Sequence, residues 1–137
     1  MLAALAAGCN ADDKLIAYQK LRALPDAELE QKFIDLPPKE QVDLYTTAIS
    51  QVRPADTRLA PVLAKQGTKV LPALVEKLEA ADKGVPPQPL VLVIYMMANA
   101  YHVEDARALA PRVAGWCDCF YEKDSYCHEM GGDLMKR

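Results

Sequence analysis

Apolar residues recur along this chain every three or four positions, the spacing of helix faces that packing can hide from water. Leu15, Tyr18 and Leu21 mark a first helix, with Asp12 or Asp13 as its cap and its end near Leu24. Leu29, Phe33 and Leu36 mark a second, opened by Pro25. Proline suits a first helical turn because the N–H it lacks would have had no partner there. Asp26 and Glu28 meet the positive end of the same helix dipole. Leu36-Pro37-Pro38-Lys39-Glu40 repeats the form of Leu24-Pro25-Asp26-Ala27-Glu28 and opens a third helix carrying Val42, Tyr45, Ile49 and Val52. Arg53-Pro54-Ala55-Asp56 ends it and supplies the next cap. Leu59, Val62 and Leu63 define a fourth helix with Pro61 in its first turns and Gly67, which takes positive φ cheaply, as its stop. A fifth helix, capped by Thr68, carries Leu71, Leu74, Val75 and Leu78.

The prolines between Val85 and Leu90 make a stiff loop, and from Leu90 to Tyr101 the chain is apolar on every side. Val91, Val93 and Ile94 favour a strand. The length of the run, the proline before it and its Met/Ala-rich second half favour a buried helix, and length decides. A seventh helix opens at Val103-Glu104-Asp105. Its core face runs through Leu109, Val113, Trp116 or Cys117, and Phe120, with Pro111 and Gly115 kinking or shortening it. Asp124-Ser125 caps a last short turn that Gly131-Gly132 stops. The pattern therefore predicts one all-α domain over residues 10–137. It has about seven helices in antiparallel hairpins, with a right-handed superhelical or bundle-like arrangement and residues 90–101 at its centre.

Composition narrows the function classes. The chain has 137 residues, 51% apolar and 26% charged, enough to bury a core without metal support. A net charge of −3 with scattered Lys and Arg gives no basic patch for nucleic acid. The longest apolar run is far short of the about 20 residues that cross a bilayer.

Leu5-Ala6-Ala7-Gly8-Cys9, after an apolar Leu/Ala start, resembles the lipobox of bacterial lipoproteins. The resemblance implies that residues 1–9 are a signal-peptide remnant, that Cys9 is lipidated, and that the domain stands in the periplasm or on a membrane through that anchor. Val70-Leu71-Pro72-Ala73-Leu74-Val75-Glu76-Lys77-Leu78 resembles the first helix of a HEAT-like repeat, Leu-Pro-x-Leu-x-x-x-Leu. That resemblance spans 59–100 and implies stacked helix pairs with a partner-binding surface.

Candidate chemistry is concentrated between Trp116 and His128. Cys117, Cys119, Cys127 and His128 make a nominal zinc set, but on one helix Cys117 and Cys119 point about 200° apart. A disulfide is favoured, because an exported chain enters an oxidising space. The turn from Glu122 to Ser125 brings Cys127 back to Cys119, with Cys117, nearer the apolar face, as the alternative. A loop this short contributes about 2–3 kcal/mol. Cys127 with His128, or with His102 beside Glu104 and Asp105, is the only nucleophile arrangement on offer, and no set of catalytic residues at working spacing appears. Tyr95, Met96, Met97 and Tyr101 are candidates for an apolar pocket.

These readings point to a non-enzymatic, exported, lipid-anchored helical protein that binds another protein in an adaptor or immunity role, without a cofactor. The alternative is a cytoplasmic metal- or redox-responsive module built on the Cys/His cluster.

Overall fold

The computed structural model describes residues 13–80, 82 and 84–136. Among them the chain forms nine α-helices and no strand. They are α1 (13–22), α2 (Asp26–Ile34), α3 (Pro38–Ser50), α4 (Ala60–Lys65), α5 (Leu71–Glu79), α6 (Pro87–Ala100), α7 (Glu104–Arg107), α8 (Ala110–Asp118) and α9 (Tyr126–Met135). A single 3-10 turn, Gly67–Lys69, links α4 to α5.

α6 is the centre of the fold. It packs against α4, α5, α7, α8 and α9, and Val91, Val93, Ile94 and Met97 have no exposed surface. Burial on all sides therefore outweighs the strand preference of its β-branched residues, since propensity is a weak prior against tertiary packing. Each such side chain contributes about 1.5–3 kcal/mol when fully buried. The helix starts at Pro87, earlier than its apolar run, because Pro86, Pro87 and Pro89 all fit an entry and first turn.

Other boundaries also differ from the sequence reading. The seventh helix is two helices, α7 and α8, broken before Pro111, which takes a first-turn place in α8. α8 runs through Gly115 without a break. The last element is a ten-residue helix, α9, that runs through Gly131-Gly132. Gly131 is needed there for closeness: a Cβ on it would stand 2.9 Å from Val113 Cγ1 of α8. Gly67, by contrast, is the expected stop, with φ of 57° just past α4. Thr68 does not cap α5; it lies in the 3-10 turn, and Val70 holds the cap position.

The polar interior is small, and most of it is paired; Gln66 Oε1 and Arg107 Nη1 are the buried side-chain atoms without a hydrogen-bond partner among the described residues. Asp56, 8% exposed, accepts the Tyr18 hydroxyl, the Arg58 backbone N–H at 3.0 Å and Arg58 Nε at 2.9 Å, and pairs with Arg22. Burial alone would raise its pKa, but Arg58 and Tyr18 hold it well below the usual carboxylate range. The cluster fastens α1 to the connection between α3 and α4. Gln41, also buried, donates to Leu36 O at 2.8 Å and accepts from Gln66 at 2.6 Å, tying the α2–α3 turn to the end of α4.

Candidate functional site

Two faces of α8 do different work. Ala110, Val113 and Cys117 recur at helical spacing and are buried, facing the core and α9. Gly115 and Trp116, with Cys119 and Phe120 just beyond the helix end, form one wall of a groove of about 530 Å³. The end of α5 (Lys77, Leu78, Glu79), Asp82 and Val85 of the following loop, and Pro87 and Leu90 of α6 complete it. That volume lies within the usual range for a ligand site. Phe120, read as a core residue, is instead 37% exposed. The helix ends at Asp118, so the core face does not continue to it.

One polar cluster spans the groove. Trp116 Nε1–H donates to Glu79 Oε2, Arg112 pairs with the same carboxylate at 3.0 Å, and the Arg112 guanidinium lies 5.2 Å from the Trp116 ring centre. The Trp116 N–H, and Arg112 after an opposing effect of desolvation, hold the Glu79 carboxyl below its ordinary value. Lys77 on the other side is paired with Asp43 at 3.0 Å. The site thus presents an apolar floor in which Glu79 and Lys77 are each ion-paired and Asp82 accepts the Gly84 backbone N–H at 2.8 Å.

Behind the wall, Cys117 is disulfide-bonded to Cys127, with Cα atoms 5.9 Å apart, which corrects the Cys119–Cys127 pairing favoured from the turn. The physical reason is α9. Because that segment is a full helix packed on α8, Cys127 in its first turn is buried and meets the buried stripe of α8. Cys119, turned away, is a free and exposed thiol on the groove wall. Cys117 and Cys127 are therefore not thiolate ligands. His128 uses Nδ1 with Ser125 Oγ at 2.9 Å and Nε2 with Asp118 Oδ1 at 2.8 Å. The alternative metal set of Cys117, Cys119, Cys127 and His128 is not assembled, and no group of three metal-ligating side chains converges among the described residues. Ser125 is the helix cap expected from sequence, accepting from His128 N–H. His102 is exposed with φ of 54°, and the sulfur of Cys127 is occupied, so neither nucleophile pair is formed.

The four residues read as a pocket do not converge. Met97 has no exposed surface and Tyr101, beyond α6, is 39% exposed. Tyr95 donates to Asp133 at 2.7 Å and lines a smaller cleft of about 330 Å³ beside α9. Consecutive helical residues diverge by about 100°, so a run of apolar neighbours is the wrong signal for one wall. The signal for the groove was Trp116 on the outer face of α8, four residues after Arg112 and followed four later by Phe120 just past the helix end. Cys9 lies outside the described residues, and no described helix is long and apolar enough to cross a membrane.

Compared with known proteins, the chain matches no family model, no curated protein and no solved structure.

Proposed function

We propose that this chain is a non-enzymatic helical protein that binds another protein, taking apolar side chains of a partner helix into the groove between α5, α6 and α8. The observation that carries the reading is the composition of the groove. A floor of Leu78, Val85, Pro87 and Leu90 is walled by Trp116 and Phe120, with Arg112 stacked on the Trp116 ring, and Trp is among the residue types that dominate protein-interface hot spots. The neutralised Glu79–Arg112 pair suits an apolar rather than a charged anchor. The HEAT-like pattern of α5 is consistent with a partner-binding hairpin of α5 and α6.

Export and a lipid on Cys9 belong to the same proposal. They are supported by the lipobox-like start and by a disulfide, which persists in oxidising compartments. The domain then works beside a membrane while staying in water.

The test uses the neutral apolar dye N-phenyl-1-naphthylamine. Trp116 is the only tryptophan of the chain, so energy transfer from it reports dye bound to the protein, and competition by a partner-like helix reports whether it sits in the groove. The expected result is transfer that a leucine-rich amphipathic helical peptide abolishes and a Gly/Ser peptide of equal length does not. Absence of transfer, or transfer indifferent to both peptides, overturns the reading.

A further inference from the structure

We infer that Cys117, Cys119 and Cys127 form an exchangeable set in which occupancy of the groove decides the disulfide pairing. The inference rests on the reading of the groove as a binding site and names its regulation. The free thiol and the bonded pair lie on one short stretch. Cys119 faces the groove, whereas Cys117 faces α9 and is bonded to Cys127.

The reach is short. Two helical steps separate Cα of Cys119 from Cα of Cys117 by about 5.4 Å. A disulfide needs Cα atoms about 4.4–6.8 Å apart. Rewinding the end of α8 moves Cys119 toward the place Cys117 holds, 5.9 Å Cα to Cα from Cys127. Just after the helix the chain is held by the Phe120 N–H and Tyr121 N–H bonds to Cys117 O, both 3.0 Å, and by the Tyr121 hydroxyl accepting from Gln88 N–H at 3.3 Å. The residues from Cys119 to Asp124 are mostly exposed. Val113 against Gly131 keeps α8 and α9 together one turn further in, so the move does not require unfolding.

The step balances without a co-reactant. The Cys119 thiolate attacks Sγ of Cys127, a new S–S bond forms, the Cys117–Cys127 bond breaks, and Cys117 leaves as a thiolate that takes up the proton Cys119 lost. The product carries one disulfide and one thiol, as the reactant does. In it Cys119 has left the groove wall, and its neighbours Phe120 and Trp116 are displaced with it. An occupant that packs against Cys119, Trp116 and Phe120 therefore favours the Cys117–Cys127 form.

The experiment uses the full chain with Cys9→Ala, which leaves three of its four cysteines. Oxidised protein is incubated at mildly alkaline pH with and without N-phenyl-1-naphthylamine and quenched in acid. It is then unfolded and alkylated with N-ethylmaleimide, and the alkylated cysteine is located by fragment mass spectrometry. The expected result is a fraction alkylated at Cys117 in the free protein that falls severalfold when dye fills the groove. Alkylation at Cys119 alone in the free protein overturns the inference. So does a Cys117 fraction unchanged by dye that Trp116 transfer shows to be bound. If dye gives no transfer, the binding reading itself has failed, and Gly115→Leu, which fills the groove from within, still reads the exchange: a lower Cys117 fraction than in the parent supports it and an equal fraction overturns it.

Discussion

Trp116 on α8 donates its indole N–H to the carboxylate of Glu79 on α5, so one hydrogen bond joins opposite sides of the groove. Glu79 is held below its ordinary pKa first by that bond, with Arg112 adding to it. A depressed carboxylate contributes while it is ionised, above its unfolded value, and the contribution is lost as pH falls through the folded value. The fluorescence of Trp116 is therefore expected to titrate with a midpoint below that of an ordinary glutamate. Glu79→Gln is expected to remove the transition, which an acid titration of both proteins checks.

The Asp56 cluster has the same sign and a larger structural consequence. Its pKa is lowered chiefly by Arg58 and Tyr18 against the cost of burial. The stability it contributes is full above the unfolded value and declines as pH falls toward the folded one. Urea unfolding at neutral and acid pH is expected to show a greater acid loss for the parent than for Asp56→Asn. Tyr18→Phe, which removes one hydrogen bond to a charged group, is expected to cost about 1–3 kcal/mol at neutral pH.

Neighbouring glycines of α9 are expected to respond oppositely. Gly131→Ala places a methyl against Val113, and overpacking of this kind costs about 1–3 kcal/mol. Gly132 has no atom within 4 Å of its absent Cβ, so Gly132→Ala is expected to gain about 0.5–1 kcal/mol from helix propensity. Thermal melts of the two variants give the comparison.

Much of this architecture was legible in the chain. The spacings of Leu29 with Phe33, Tyr45 with Ile49, and Leu71 with Leu74 and Leu78 lie on buried helix faces, because a stripe at that period has only one way to leave water. The boundaries around Pro111 and Gly131 were not legible. Proline opens and breaks helices by the same loss of an N–H, and glycine both stops a helix and lets another approach it. Only the neighbour, Val113 here, decides which applies. The disulfide partner was misjudged for a related reason: Cys117 and Cys119 differ by the face they present, and that depended on α9 being a helix.

The proposed lipid anchor makes its own prediction. The Cys9→Ala precursor is expected to move from the membrane fraction to the soluble fraction and to lose detergent-phase partitioning, as loss of acyl burial at about 0.8 kcal/mol per methylene requires. Unchanged partitioning removes the anchor from the proposal and leaves the groove untouched.

Gly115 offers the most direct test of binding in the groove. It lines the site, and no atom lies within 4 Å of where its Cβ would stand. Gly115→Leu therefore starts from open space at Cβ and extends into the groove, and it improves helix propensity by about 1 kcal/mol. N-phenyl-1-naphthylamine titrations of the parent and the variant, each followed by Trp116 energy transfer and paired with a thermal melt, decide the matter. The account predicts an equal or higher melting temperature with transfer abolished; dye bound by the variant as tightly as by the parent, with transfer intact, would contradict it.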